Sequence, residues 1–225
     1  MLIAAASLLS ASQSYQVKWV GEMRKVMMLG EDQGVISLAS LKTTEHLYAL
    51  GPVEGLNGEI TVFDSQPVIA TIAEGKPRTE QTFGVRAPLL VWGQVAKWSA
   101  SPAAIESMEA LDKLVSARAN ASGLDMTAPV PFRVTGVAQT IQMHIVNRQG
   151  REAKGREAHE AIEVKFPLRD AEVELLGFWS NRHAGVFTHM GSNVHVHGRT
   201  RDNQFSGHVD SLRIDSGEIW LPSTR

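Results

Sequence analysis

The sequence predicts an α+β fold that is mostly β, with mixed or barrel-like sheets and only a few helices. Three observations lead to this prediction. Most of the 225 residues fall into short runs rich in Val, Ile and Phe, in which apolar and polar residues alternate. Only two stretches repeat apolar residues at helical spacing. Hydrophobic residues make up 43% of the chain, which is enough to form a sizeable core.

The first half of the chain contains a predicted β-hairpin and a further strand. In EITVFDSQPVIATIAEG, residues 59–75, apolar and polar residues alternate on both sides of a turn around residues 64–67. FGVRAPLLVWGQV, residues 83–95, supplies another strand candidate. Both runs therefore favour antiparallel β-structure over helix.

Two helices are predicted, each with an apolar stripe that we expect to face the core. One begins at Ser101, whose side chain can cap it, has Pro102 in its first turn and ends near Gly123. Its stripe consists of Ile105, Met108, Leu111 and Val115. The other helix is predicted over residues 15–28, with a stripe of Val17, Val20, Met23 and Met27.

The second half is predicted to be rich in strands apart from one charged segment. The strand candidates are FRVTGVAQTIQMHIV, AIEVKFPL and EVELLGFWS, at residues 132–146, 161–168 and 172–180. Residues 147–160, NRQGREAKGREAHE, are charged and contain glycine, which predicts a solvated loop. We expect a domain over residues 13–225, with two subdomains that divide near residues 147–160.

Composition excludes several classes of function. The chain has no cysteine, so disulfides, thiolate metal sites and cysteine nucleophiles are excluded. Its net charge of -2 argues against a nucleic-acid partner, and no run reaches the ~18 apolar residues of a membrane span. Residues 1–12 are small and apolar, which predicts a secretory signal and a periplasmic or secreted protein. The alternative is a short buried segment or a misassigned start, in a cytoplasmic protein.

Three histidines near the C-terminus form a candidate metal site. In SNVHVHGRTRDNQFSGHV, residues 192–209, His195 and His197 would project from the same side of a strand. Residues 198–207 have the length and composition of a hairpin connection, which would bring His208 back on the neighbouring strand. Three imidazoles and an open position make a catalytic zinc site, although iron, copper and nickel also accept imidazole. The alternative is a strand whose histidines are partly exposed.

This segment resembles the zinc-binding segment of the acetolactate decarboxylase family. That family has HxH…GGHV where this chain has HVHGRTRDNQFSGHV. Upstream, HLYALGPVEGLNGEITVFD is similar to the family's GxFxxLDGEM…D segment, with Asn57 in place of the usual aspartate before Gly58 and Glu59. Further similar pieces follow in the family's order: TFGVRAPLLVWGQV, PFRVTGV and LLGFWSNRHAGVFTHMGSNVHVHG. The resemblance covers most of the chain.

The resemblance implies the fold of that family and a zinc-dependent carboxy-lyase. The enzyme would convert 2-acetolactate, or a related 2-hydroxy-3-keto acid, to acetoin and carbon dioxide. The implied Zn²⁺ ligands are His195, His197 and His208. Glu59 is the implied catalytic acid beside the metal, and Arg133 is implied to bind substrate oxygens. The chain departs from the family at Arg225, where the family has a second functional glutamate after a Leu-Pro pair.

Two other functions fit the same residues. Arg225 favours a non-catalytic homologue that binds a metal or a small acid. The third possibility is a cupin-like metal oxygenase or isomerase, but the glutamate that cupins place after His-x-His is replaced here by GRTR, residues 198–201. In all three cases the expected partner is a small molecule, and the expected assembly is a homodimer.

Overall fold

The structure is a computed structural model, and it describes residues 15–224. The predicted secretory signal at residues 1–12 and the departure at Arg225 both lie outside the described residues. No helix within residues 15–224 is both long and apolar enough to cross a membrane.

Strands make up most of the regular structure of residues 15–224. In chain order the first strands are β1 Tyr15–Val20, β2 Ile36–Ser37, β3 Leu47–Pro52, β4 Glu59–Phe63, β5 Gln66–Ala73, β6 Lys76–Glu80, β7 Arg86–Ala87 and β8 Leu90–Val95. They are followed by β9 Trp98–Ile105, β10 Val130–Ala138, β11 Thr140–Val146, β12 Glu163–Leu168, β13 Ala171–Trp179, β14 Val194–Thr200 and β15 Ser206–Pro222. The α-helices are α1 Met23–Leu29, α2 Met108–Ala121 and α3 Arg156–Glu160, and two short 3₁₀ helices lie at Leu38–Leu41 and Glu54–Leu56.

The strands form two main sheets. The first has the order β1-β8-β3-β4-β5-β6, and the second has the order β10-β13-β14-β15-β11-β12, with β9 also paired to β15. The pairs within both sheets are antiparallel. The α+β, mostly β class is therefore confirmed, and the hairpin predicted at residues 59–75 is formed by β4 and β5. In the described residues the sheets are not closed barrels, although the long strand β15 pairs with β10 as well as with β14 and β11.

The two sheets divide in sequence between β8 and β9. The charged segment 147–160 instead joins β11 to β12, which are paired neighbours in the second sheet, and it contains α3. The predicted division near residues 147–160 therefore does not coincide with the division of the sheets.

The helix predicted from Ser101 begins later than expected. Ser101 and Pro102 belong to β9, which pairs with the long strand β15. α2 begins after Ser107, whose side-chain oxygen accepts a hydrogen bond from the Ala110 N–H at 3.1 Å. The prediction placed the start wrongly because Ser101 and Ser107 are equally good capping residues, and pairing with β15 decides between them.

The helix predicted over residues 15–28 is also divided. Its first part is β1, which pairs with β8 at the end of the first sheet, and its second part is α1. Gly21 separates them with a φ of +73°, and a Cβ there would lie 2.0 Å from the carbonyl oxygen of Pro88. Glycine is required at this turn because other residues would be strained and would collide with the backbone.

The candidate site lies between the two sheets. Along β4, Glu59, Thr61 and Phe63 point toward the second sheet, whereas Ile60 and Val62 join an apolar cluster on the other face. The two-residue period of a strand therefore places a carboxyl and a hydroxyl group in the space between the sheets.

Candidate metal centre

Two neighbouring strands bring three histidines to one point. His195 and His197 lie on β14 with their side chains on the same face, because side chains two residues apart in a strand point the same way. β15 returns antiparallel to β14 and places His208 directly opposite His197. One ring nitrogen from each histidine lies within 4.8 Å of the other two. The structure thus brings together the three histidines that the spacing predicts.

Gly198 and Gly207 allow this hairpin to fit among its neighbours. They lie directly opposite each other, next to the His197–His208 pair, and therefore on the opposite face from the histidines. A Cβ at Gly207 would lie 2.3 Å from the carbonyl oxygen of His144 on β11. Glycine before His208 is thus explained by the close approach of β11.

All three imidazoles are buried and neutral, as metal ligands have to be. Their exposed fractions are 3% for His195, 0% for His197 and 9% for His208. Burial lowers the pKa of each, to about 3 in His197, and the charges of neighbouring histidines lower it further. The ring nitrogens therefore carry lone pairs at neutral pH.

Two ring nitrogens of the cluster have no hydrogen-bond partner among the described residues. They are Nδ1 of His195 and Nε2 of His197, and both are buried. The other ring nitrogen of His197, Nδ1, lies 3.1 Å from Oγ1 of Thr61, which orients the ring. A buried polar atom without a partner costs roughly 1–3 kcal/mol, and a metal ion held by the three rings would remove that cost. The residues present therefore fit a divalent metal such as zinc.

Glu59 lies against the histidine cluster at the start of β4. Its Oε2 is 3.7 Å from Nε2 of His197, and its Oε1 accepts a hydrogen bond from the Val146 N–H at 3.2 Å. Burial raises the pKa of Glu59 to about 8, although the charge of His144 and the Val146 N–H oppose the rise. Glu59 is therefore mostly protonated at neutral pH in the metal-free protein. Its position agrees with the acidic group that the resemblance implies.

Arg133 does not lie next to the three histidines. It lies on β10, and β13 separates it from His197, so the two backbones are about 10 Å apart along one row of the sheet. Its guanidinium pairs with the carboxylate of Glu174. Three aromatic rings also surround the guanidinium, with centroids at 5.4–5.8 Å: Tyr48, Trp98 and Trp220. The guanidinium therefore contacts Glu174, which also pairs with Arg199, and the predicted role of Arg133 in binding substrate stays a prediction.

A cavity of about 50 Å³ adjoins the histidines. Polar side chains on several elements line it: Glu59, His144, His159, Glu163, His189, His195 and His208. The rest of the lining is apolar: Met23, Val26, Met27, Pro52, Leu56, Leu89 and Val146. Its small volume and apolar walls suit the polar end of a small molecule and limit the access of water.

The sequence analysis did not single out His144, which lines the cavity and lies beside the histidine cluster on the neighbouring strand β11. It is directly opposite His208 on β11, and the two ring centroids are 4.8 Å apart. Its Nδ1–H donates a hydrogen bond to Oδ1 of Asp210 at 2.8 Å. Burial lowers the pKa of His144, but the Asp210 hydrogen bond and the nearby carboxylates outweigh burial and raise it. No sequence spacing signals this pair, because it depends on which strands are neighbours.

A second cavity, of about 360 Å³, leads toward the first. The two cavities share four lining residues: Met23, Met27, Glu163 and His189. A third cavity of about 520 Å³ lies beside β10 and β13 and has no histidine in its lining. Its two arginines, Arg199 and Arg201, are already paired with glutamates. We therefore place the candidate site at the histidine-lined cavity, with its opening on the side of α1.

Comparisons with known proteins identify a family and a fold. The sequence model of the family described as alpha-acetolactate decarboxylase matches residues 15–224. Acetolactate decarboxylase from Bacillus subtilis subspecies spizizenii has a TM-score of 0.75 and 17% identity, over 92% of this chain and 85% of that chain. Alpha-acetolactate decarboxylase from Bacillus subtilis strain 168 has a TM-score of 0.72, with the same identity and coverage.

A structure from Staphylococcus aureus is also similar. It is a protein of unknown function described as similar to alpha-acetolactate decarboxylase, with a TM-score of 0.71 and 14% identity over 91% of this chain and 84% of that chain. At such low identities these structures are evidence for the fold alone. The search of curated proteins finds no match.

Proposed function

This chain belongs to the alpha-acetolactate decarboxylase family, and from that premise we propose that it is a metal-dependent decarboxylase acting on 2-acetolactate or a related 2-hydroxy-3-keto acid. The observation that carries the proposal is the buried cluster of three neutral imidazoles, two of them with an unpaired ring nitrogen. The buried carboxyl group of Glu59, whose pKa is raised in the metal-free protein, lies beside this cluster. The preferred metal is zinc, because three imidazoles and an open position are its usual catalytic ligand set.

The substrate is a β-keto acid, and its reaction has two steps. The bond between the carboxylate carbon and the carbinol carbon breaks, carbon dioxide leaves, and the electron pair forms an enolate with the neighbouring ketone. A proton is then added to the carbinol carbon, which gives acetoin. The site must therefore stabilise negative charge on oxygen and deliver one proton.

The chain's own residues meet these two needs. A bound Zn²⁺ would supply Lewis-acid stabilisation of negative charge next to the three histidines. In the metal-free protein burial raises the pKa of Glu59 to about 8, which leaves a proton on the carboxyl group that lies within 3.7 Å of His197. It is thus placed to give that proton to the carbon and become a carboxylate. The apolar walls from α1, among them Met23 and Met27, exclude competing water.

The substitution Glu59→Gln tests the proposal because it keeps the size of the side chain and removes the acidic proton. We expect formation of acetoin and carbon dioxide to fall by about 10²–10⁴-fold, the usual contribution of a positioned acid. Zinc content should stay near one per chain. His46→Asn is the matched control, since His46 is an exposed histidine bonded to Asp64 outside the cavity, and it should change neither quantity.

Two results would contradict the proposal. Wild-type protein that contains zinc but releases no carbon dioxide from 2-acetolactate would leave the non-catalytic binding homologue as the better description. If protein is prepared without chelators and still contains no stoichiometric metal, metal dependence is contradicted.

A further inference from the structure

The proposed reaction consumes an anion, so the cavity needs a group that binds its carboxylate. Among the described residues, no lysine or arginine lines the cavity at the histidines. The basic side chains there are histidines, and His195 and His208 belong to the metal cluster. The remaining lining imidazoles are His144, His159 and His189. One of these is the group expected to meet the carboxylate.

Of these three imidazoles, His144 is the one hydrogen-bonded to a carboxylate. Its Nδ1–H donates to Oδ1 of Asp210 at 2.8 Å. His159, by contrast, has a buried Nδ1 without a partner among the described residues. A carboxylate partner fixes the tautomer and the orientation of an imidazole ring. Asp210 therefore makes His144 the most suitable of the three for binding an anion.

The position of His144 also places it beside any molecule that reaches the cluster. His197, His208 and His144 lie side by side on β14, β15 and β11, each directly opposite the next. Directly opposite residues of an antiparallel pair project on the same face, about 4.5–5.5 Å apart at Cβ. Since His144 and His208 also line one cavity of about 50 Å³, a small molecule in that cavity contacts both.

Two backbone features hold the His144–Asp210 pair in place. The register between β11 and β15 shifts between Gln142 and Met143, which leaves Asp210 with no residue directly opposite. Such β-bulges re-aim side chains and are frequent beside active sites. Gly207 lets β11 approach β15 closely, because a Cβ there would collide with the His144 carbonyl oxygen.

We propose that His144, oriented by Asp210, is a further catalytic residue that binds the carboxylate of the substrate. The inference rests on the proposed function for the identity of that substrate. Because Nδ1–H donates to Asp210, Nε2 is the ring nitrogen left for the substrate, and a carboxylate oxygen binds there together with a proton that lies between the two atoms. His144 thereby takes the role that the resemblance assigns to Arg133, whose guanidinium is bound by Glu174.

The test uses two ligands that do not react, measured by calorimetry on the zinc-loaded full chain. 2-Hydroxyisobutyrate has the carboxylate and hydroxyl of the substrate but no ketone, and acetoin lacks the carboxylate. His144→Gln should weaken binding of 2-hydroxyisobutyrate by about 10- to 100-fold, the usual loss for a hydrogen bond to a charged group. Binding of acetoin and the zinc content should not change. Asp210→Asn should give a smaller loss with the same selectivity, which covers the case that His144→Gln does not fold.

Several outcomes would overturn the inference. Equal losses for both ligands would mean a structural role, and loss of zinc in His144→Gln would mean that His144 is a fourth metal ligand. Wild-type protein that does not bind 2-hydroxyisobutyrate, or a selective loss in Arg133→Gln but not in His144→Gln, would also overturn it. The proposed function is judged separately by carbon dioxide release. Selective carboxylate binding without that release would defeat the proposed reaction and leave only carboxylate binding by His144 supported.

Discussion

Removing the metal should lower the free energy of unfolding and leave the fold intact. The three ligands come from the β14–β15 hairpin, which is held between β13 on one side and β11 on the other. Their ring nitrogens already lie within 4.8 Å of one another, and the imidazoles are already neutral, so binding needs little rearrangement. A ligand that binds only the folded chain stabilises it by RT ln(1 + [L]/Kd), which is about 2.7 kcal/mol at a free zinc concentration of about 100 times Kd.

The expected change in melting temperature follows from the size of the chain. For a domain of about 150–250 residues, 1 kcal/mol corresponds to about 2–4 °C, and this chain has 225 residues. Zinc at about 100 times Kd should therefore raise the melting temperature by about 5–11 °C. The assay compares zinc-loaded, chelator-treated and reloaded protein by differential scanning calorimetry at one pH. His197→Ala should melt at the same temperature with and without zinc, because two imidazoles make a poor site.

Two results would contradict the expected stabilisation by zinc. If zinc is bound at stoichiometric levels and the melting temperature does not move, the metal does not bind the folded chain in preference to the unfolded chain. If His197→Ala keeps the full response to zinc, the ligands are not those assigned here. The exposed-histidine variant His46→Asn should respond as the wild type does.

Two more predictions concern the metal-free site and its backbone. Acid should destabilise the metal-free protein, because the pKa of His197 is about 3 in the folded chain and about 6.5 when unfolded. That stability is complete above about pH 6.5 and is lost as the pH falls toward 3. Urea unfolding should thus depend less on pH between 6.5 and 4 in His197→Gln, and an equal dependence would contradict the reasoning. Gly207→Ala should lower the free energy of unfolding by about 1–3 kcal/mol, since its Cβ would lie 2.3 Å from the His144 carbonyl oxygen; an unchanged urea midpoint would contradict it.

The parts of the site that the sequence predicts are those decided by local rules. His195 and His197 share a face because of the two-residue period of a strand, and His208 joins them because a short connection returns the chain to the neighbouring strand. The α+β class follows from alternation in the same way. The role of Glu59 was predicted from the resemblance alone, because nothing in the sequence around Asn-Gly-Glu indicates that this carboxyl group is buried.

The errors arise where pairing between distant segments decides the outcome. Ser101 and Ser107 are both good helix caps, and only the pairing of β9 with β15 shows which one is used. The neighbours of Arg133, a glutamate and three aromatic rings, are likewise set by other strands. Neither set of neighbours can be read from one segment of the chain.

Metal binding and turnover differ in how many segments of this fold they depend on. The three candidate ligands belong to one hairpin, whereas Glu59 comes from the other sheet and His144 from the strand beyond β15. The position of Glu59 therefore depends on how the two sheets pack, and the position of the proposed anion-binding group depends on the register and bulge between β11 and β15. A chain of this fold that kept the three histidines but lost Glu59 and His144 would still have the proposed metal ligands. The proposed decarboxylation draws on all three segments, so zinc binding alone is not evidence for catalysis, and the tests above measure the two separately.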